Sequence, residues 1–148
     1  MTSYDSYLLI LQFQAKIVRL NGSAFQNFAA DIFKITFDDF QKVKPDGRKG
    51  DEGNDGFRED SGTYYQIYSP EDPSSKKKKA AIKFKEDFNK IISGRWSFVT
   101  PIKAYYFVFN DHFNGATQDL LLAKAELKEK WPKIDFSLIG ADDLQKIV

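Results

Sequence analysis

The chain contains one uninterrupted apolar run of strand length, residues 104–109, which ends at Asn110 and Asp111. A strand with one exposed face alternates apolar and polar residues, whereas a strand covered on both faces is apolar throughout. The run therefore predicts a strand at the centre of a sheet with helices on both faces. This pattern is typical of an α/β fold.

The rest of the chain alternates between helical and strand patterns. A first helix is predicted at residues 7–20, and after a break at Asn21-Gly22 a second helix begins with Ser23 as its cap. Further strands are predicted at residues 37–43, 62–68 and 134–139, and further helices at 81–92, at 120–131 and after 140–143. The predicted order is α, α, β, β, β, α, β, α, β, α, which counts one strand between residues 43 and 62 without giving its position, and it indicates a mixed central sheet flanked by helices.

Length and composition narrow the class of protein. The 148 residues suffice for one core and not for two, so residues 1–148 are predicted to be one domain, with a helical hairpin at about 4–36 and an αβ core at about 37–148. The absence of cysteine excludes disulfides, thiolate zinc sites and cysteine nucleophiles, and favours a cytoplasmic location. The apolar stretch at residues 7–11 is too short for a signal or a membrane span, so no membrane partner is expected.

Charge is balanced over the whole chain and clustered locally. The formal net charge is +1, so no global field indicates a nucleic-acid partner. Four consecutive lysines, Lys76, Lys77, Lys78 and Lys79, could instead bind DNA phosphates locally. The alternative is that this lysine run is a solvated loop before a helix.

Candidate metal ligands lie in and after a glycine-rich loop. Asp55 ends the segment at residues 50–56, and Gln66 follows eleven residues later in a predicted strand. A hairpin can place the two side by side, and a carboxylate, an amide oxygen and a backbone carbonyl suit a hard cation such as Mg²⁺. Asp-Gly and Gly-Asn pairs also form ordinary turns, which is the alternative interpretation.

The loop and strand together carry a family resemblance. Residues 50–56 (GDEGNDG) and 64–68 (YYQIY) resemble the Asp and Gln-x-Lys signature of Mrr-type restriction endonucleases, of the PD-(D/E)xK nuclease superfamily. They are more similar to a variant whose strand reads Tyr-Tyr-Gln-x-Tyr-x-Pro, which occurs as an N-terminal effector domain of bacterial anti-phage proteins. The similarity continues through residues 83–88, 107–111 and 140–144. It implies a restriction-endonuclease-like core and a metal-dependent DNA endonuclease.

The resemblance also implies a set of site residues. Asp55, Gln66 and the Ile67 carbonyl would bind Mg²⁺ or Mn²⁺, and Gln26 stands where Mrr-type helices often carry a metal-binding Glu. Tyr68 occupies the place of the motif lysine, and a phenol has no positive charge at neutral pH. A catalytic cation would then have to come from Lys83, which the family pattern favours, from Lys85, which a helical wheel turns toward the sheet, or from Lys49 beside the loop.

Two functions therefore remain open at the level of sequence. The first is an endonuclease acting on double-stranded DNA, coupled to a sensor or NTPase module in the same chain or in a partner protein, and active as a homo-oligomer. The alternative is a domain of the same fold with a degraded site, which binds DNA or protein without cutting. Tyr64, Tyr65, Tyr105 and Tyr106 could stack on bases, although core packing is the expected role of such strand residues.

Overall fold

The computed structural model describes residues 2–44, 54–68 and 77–147, apart from the side chains of residues 77 and 78. Five helices and five strands follow one another here in the predicted order. They are α1 (Ser3–Ile17), α2 (Gly22–Thr36), β1 (Phe40–Lys42), β2 (Gly56–Arg58), β3 (Thr63–Tyr68), α3 (Lys77–Ser93), β4 (Ala104–Phe109), α4 (Gln118–Lys130), β5 (Asp135–Ile139) and α5 (Ala141–Ile147). No helix in these ranges is both long enough and apolar enough to cross a bilayer.

The five strands form one mixed sheet in the order β1-β2-β3-β4-β5. The pairs β1–β2 and β2–β3 are antiparallel, whereas β3–β4 and β4–β5 are parallel. The prediction of a mixed sheet is confirmed, but the placement of residues 104–109 at its centre is wrong. Two short antiparallel strands extend the sheet beyond β3, so β3 is central and β4, although covered on both faces, is second from the edge.

Helices cover both faces of the sheet, as the apolar run predicts. On one face α3 and α4 enclose an aromatic core in which the Phe84 ring stacks on Tyr105, with ring centroids 5.5 Å apart. On the other face α1, α2 and α5 enclose a second core in which the Phe33 and Tyr65 ring centroids are 4.7 Å apart. Each fully buried large apolar side chain contributes about 1.5–3 kcal/mol to folding. Both helical layers are therefore needed for stability.

The ends of the first two helices differ from the prediction. A capping box between Thr2 and Asp5 starts α1 at Ser3, earlier than the apolar pattern indicates. The predicted cap at Ser23 is wrong, because α2 begins at Gly22 and Asn21 occupies the N-cap position. Gly22 has a φ of +54°, which glycine adopts without strain, and this conformation turns the chain between α1 and α2.

Asn110 and Asp111 do not cap α4, the helix that follows them in sequence. The Thr117 side chain accepts the Leu120 N–H and so caps α4. Asp111 Oδ1 instead accepts the Ala141 N–H, 2.9 Å away at the start of α5. Parallel strands place the ends of β4 and β5 side by side, which is why a residue after β4 caps a helix that follows β5.

Candidate functional site

The candidate site lies where β3 extends past Gly56, the first residue of β2. The β2–β3 register ends with Gly56 opposite Tyr65, so no residue of β2 pairs with Ile67. Its peptide groups are bound by two side chains instead. The Ile67 N–H donates to Asp55 Oδ2 at 2.7 Å, and the Ile67 carbonyl accepts from Gln26 Nε2 at 3.1 Å. Side chains from α2 and from the segment before β2 thus meet at the end of β3.

Asp55 is held in place by its own backbone. Its N–H donates to the Tyr65 carbonyl at 2.9 Å, and its carbonyl accepts the Val43 N–H at 3.0 Å. The preceding Asn54 is fully buried, and its Oδ1 accepts the Gly56 N–H at 3.1 Å, which closes a local turn into β2. Asp55 is half-buried and is bonded to both residues that flank Gln66 in β3. Its N–H donates to Tyr65, and its carboxylate accepts from Ile67.

Gln66 is buried, and its amide oxygen has no partner among the described residues. The residue is 5% exposed, and Gln66 Oε1 makes no hydrogen bond within residues 2–44, 54–68 and 77–147. Side chains alternate along a strand, so Gln66 lies on the same face as Tyr64 and Tyr68, the face that α3 covers. A buried acceptor left unsatisfied costs on the order of 1–3 kcal/mol, so this oxygen is costly in the fold as described.

The donor set can be tested against a divalent cation. Asp55 offers a carboxylate, Gln66 an unpartnered amide oxygen and Ile67 a carbonyl, all of them oxygen donors of the kind that Mg²⁺ and Mn²⁺ prefer. Within residues 2–44, 54–68 and 77–147, no three His, Cys, Asp or Glu side chains gather at one point. The residues therefore fit a hard cation in donor type, with Asp55 as the carboxylate.

Tyr68 lies beside the site as a neutral phenol. Burial raises the pKa of Tyr68, and the nearby Lys83 ammonium opposes this rise. Its ring stacks on Phe107, with the centroids 5.6 Å apart. Tyr68 thus contributes packing and a hydroxyl at neutral pH, and the positive charge near it belongs to Lys83.

The two candidate lysines of α3 face different neighbours. Lys83 Nζ is 3.2 Å from Asp87 Oδ1 and close enough to Tyr68 to influence its pKa. Lys85 forms an ion pair with Glu126 of α4 and lines an open groove of about 370 Å³ between α3 and α4. The helical wheel is therefore wrong in turning Lys85 toward the sheet, and Lys83 is the lysine that approaches the end of β3.

Asp87 is a charged residue of this region that the sequence analysis did not single out. It is fully buried, and besides Lys83 it has Lys90 Nζ 3.7 Å from its Oδ1. The spacing of four residues between Lys83 and Asp87 is the signal that could have identified the pair, since residues at i and i+4 are neighbours on a helix. Asp87 therefore restrains the Lys83 ammonium.

The remaining predicted site residues are only partly within the described chain. Lys49 and Lys76 lie outside it, Lys77 and Lys78 begin α3 with side chains outside it, and Lys79 is exposed near the start of α3. Tyr64, Tyr65 and Tyr105 are buried and Tyr106 is half-buried, so the first three are core residues. Burial raises the pKa of Tyr64 and of Tyr65 to about 12, which fits phenols enclosed in the core.

Comparison of the chain with models of protein families, with curated proteins and with solved structures found no match. Function must therefore be argued from the site itself, since a fold alone does not specify one.

Proposed function

We propose that the chain is a metal-dependent DNA endonuclease with a restriction-endonuclease-like, PD-(D/E)xK core, and that it acts as an effector domain in bacterial anti-phage defence. The observation that carries the proposal is the meeting of Asp55 and Gln26 on the two peptide groups of Ile67, next to the buried Gln66. Gln26 comes from α2, Asp55 from the segment before β2, and Gln66 and Ile67 from β3. The family resemblance assigns these positions to one metal site.

Asp55, Gln66 and the Ile67 carbonyl would hold Mg²⁺ or Mn²⁺, with Gln26 adjoining. A divalent cation bound there would lower the pKa of an attacking water and offset negative charge on the phosphate. The contribution of the chain is positioning. The backbone of Asp55 is bonded to Val43 and Tyr65, and this keeps its carboxylate at the end of β3.

Lys83 would replace the lysine that the Gln-x-Tyr strand lacks. What supports this role is that the Lys83 ammonium is near enough to the Tyr68 phenol to oppose the rise in its pKa. The ion pair with the buried Asp87 limits the freedom of the Lys83 side chain. In this role Lys83 would orient the scissile phosphate and balance its charge.

Double-stranded DNA would approach this end of the sheet. Lys49 and the run at residues 76–79 are the proposed phosphate contacts, and each such contact would add salt-dependent affinity. A sensor or NTPase module, in the same chain or in a partner, would supply the activating signal for a homo-oligomer in the cytoplasm. These features follow the family resemblance.

One observation favours a second function, a degraded domain that binds DNA or protein without cutting. The Ile67 peptide groups are already satisfied by Asp55 and Gln26, and Tyr68 has replaced the motif lysine. In that case the hydrogen bonds at the end of β3 would be structural.

Plasmid cleavage separates the two functions. The chain should nick supercoiled DNA with Mg²⁺ or Mn²⁺ and not with EDTA, and Asp55→Asn should lower the rate by roughly 100-fold or more, because it removes the carboxylate charge while keeping an acceptor oxygen. The matched control is Asp31→Asn, an exposed aspartate of α2, which should cut normally. DNA binding without cleavage under any condition would favour the second function.

Two variants of α3 test the proposed role of Lys83. Lys83→Ala should lower kcat roughly 10- to 100-fold with little change in KM, whereas Lys85→Ala should leave both constants unchanged. Because Lys83 pairs with the buried Asp87, the melting temperatures of both variants have to be measured alongside. Equal losses for the two lysines at equal stability would contradict the assignment.

A further inference from the structure

Helix α1 is apolar on two opposite faces. The inner face packs on the domain, where Ile17 is fully buried and the Phe13 and Phe28 ring centroids are 5.6 Å apart. Apart from this face, the helix is exposed over most of its length. An ordinary surface helix has one apolar face toward the core and a polar face toward solvent. A second apolar face on α1 therefore needs a different explanation.

The second face, called here the outer seam, consists of Tyr4, Leu8, Leu11, Ala15 and Val18. Tyr4 is 69%, Leu8 38%, Leu11 41% and Val18 44% exposed, and Ala15 is also exposed. At 100° per residue the outer seam is centred roughly opposite the inner face. Tyr7 is exposed beside the outer seam, and Leu9 and Ile10 are exposed on the flanks of the inner face.

The spacing of the outer seam identifies the kind of partner. Its members recur at intervals of 4, 3, 4 and 3 residues, the heptad a and d spacing by which one helix packs against another helix. Leu8 and Ala15 take the a positions, and Tyr4, Leu11 and Val18 the d positions. The expected occupant is another α-helix.

The apolar area of the outer seam can be compared with that of a known interface. The exposed side chains of the outer seam amount to on the order of 400 Å², whereas a standard interface buries roughly 800 Å² per partner. Pairing two copies of α1 through the outer seam would thus supply about half of a standard dimer interface.

The charges along the outer seam point to a second copy of this chain. Asp5 and Arg19 both take heptad position e, on the same side of the seam and at its opposite ends. The chain remains turned at Arg19, whose N–H donates to the Lys16 carbonyl at 3.1 Å. In an antiparallel pair, e positions face e positions, so Asp5 of each copy lies across from Arg19 of the other. A parallel pair would not bring these opposite charges together.

We propose that α1 is a homodimerisation helix, which pairs antiparallel with α1 of a second copy through the outer seam. The proposal rests on α1 alone and does not depend on the endonuclease function. It predicts an isologous, two-fold symmetric contact that closes at two chains.

Sedimentation equilibrium of the full 148-residue chain tests the contact. The wild type should be dimeric at micromolar concentration, and Leu8→Glu or Leu11→Glu should raise the dissociation constant at least about 100-fold, because each places two carboxylates in the seam. The matched controls are Leu121→Glu and Leu122→Glu, at leucines of α4 that are each 52% exposed, and both should remain dimeric. A wild type that stays monomeric at about 100 µM would overturn the proposal and leave the outer seam to lipid or to another polypeptide.

A charge exchange tests the antiparallel arrangement. Asp5→Arg and Arg19→Asp should each weaken the dimer about 10-fold, and the double variant should recover wild-type affinity. Asp5 also caps α1 through Thr2, so helix content is measured by circular dichroism in each variant. Recovery in the double variant cannot come from the cap, which stays lost. Absence of recovery at unchanged helix content would overturn the antiparallel pairing.

Discussion

An aspartate and an amide side chain lie at the end of each of the strands β3 and β4, but the hydrogen bonds that their oxygens accept are different. The two strands are parallel neighbours, with Tyr68 beside Phe109, so they end at the same edge of the sheet. At the end of β4, both oxygens of Asp111 accept backbone N–H groups. At the end of β3, Asp55 and Gln26 bind the Ile67 peptide groups, but Gln66 Oε1 has no partner in the part of the chain that the structure describes.

The difference separates a structural cluster from a candidate site. Buried polar groups in folded proteins are nearly always hydrogen-bonded, and those that are not need a reason. The cluster after β4 is satisfied by turns and by the start of α5, so stability explains it fully. At the end of β3, Gln66 Oε1 has no partner among the described residues, as is also true of buried atoms elsewhere such as Trp96 Nε1 and Trp131 Nε1. What marks Gln66 out is its place next to Ile67, whose N–H is bound by the Asp55 carboxylate.

The largest expected effect is at Asp111. Asp111→Ala removes acceptors for the N–H groups of Phe113, Gly115 and Ala141, and should lower the free energy of unfolding by about 2–4 kcal/mol. Urea denaturation measures this change. Asp142→Ala, at an exposed aspartate of α5, is the control and should cost under about 0.5 kcal/mol. Equal losses in the two variants would remove the structural role assigned to the end of β4.

A smaller loss is expected at Asn110. Its Nδ2 donates to the carbonyls of Ile17 at 2.7 Å and Leu20 at 2.9 Å, which ties the end of α1 to β4. Asn110→Ala should therefore cost about 2 kcal/mol and increase hydrogen exchange in the turn between α1 and α2. Asn110→Asp keeps an oxygen for the His112 N–H but loses both donations, so it should resemble Asn110→Ala. Unchanged exchange in that turn would show that the tie is weak.

The smallest effect on stability, and one of opposite sign, is expected at Gln66. Gln66→Met keeps the side-chain size and removes the unpartnered oxygen, so the free energy of unfolding should stay equal or rise by up to about 1 kcal/mol. Under the proposed function the same variant should bind Mn²⁺ more weakly by calorimetry. A loss of stability above about 2 kcal/mol would mean that the Gln66 amide has a structural role, and would erase the contrast with the end of β4.

Local patterns anticipated much of the architecture. The apolar run at residues 104–109 predicts a covered strand, and β4 is buried on both faces because its side chains leave no polar side. The apolar stripes of α2 and α3 likewise predict the helices that cover the sheet. The three-residue strand β2 was not located, since three residues show no clear period, and its position is what makes β3 the central strand.

The proximity of the site residues depends on strand register and packing, which are not visible in the local sequence pattern. The spacing of Asp55 and Gln66 predicts a hairpin, but their arrangement about Ile67 arises because β2 begins at Gly56, opposite Tyr65, while β3 continues to Tyr68. The role of Asp87 as a buried partner of Lys83 was not anticipated, because burial of a single charged residue is decided by packing.

The sequence by itself determined the order of the elements and the two apolar layers, because hydrophobic periodicity of 3.6 or 2 residues is a local property of the chain. It also determined that an uncharged Tyr68 stands where the resemblance to Mrr-type enzymes would place a lysine. Only the tertiary structure decided which lysine approaches the strand end. Lys83 and Lys85 flank the same apolar stripe of α3, and the order of strands and helices places the end of β3 on the side of Lys83 and α4 on the side of Lys85.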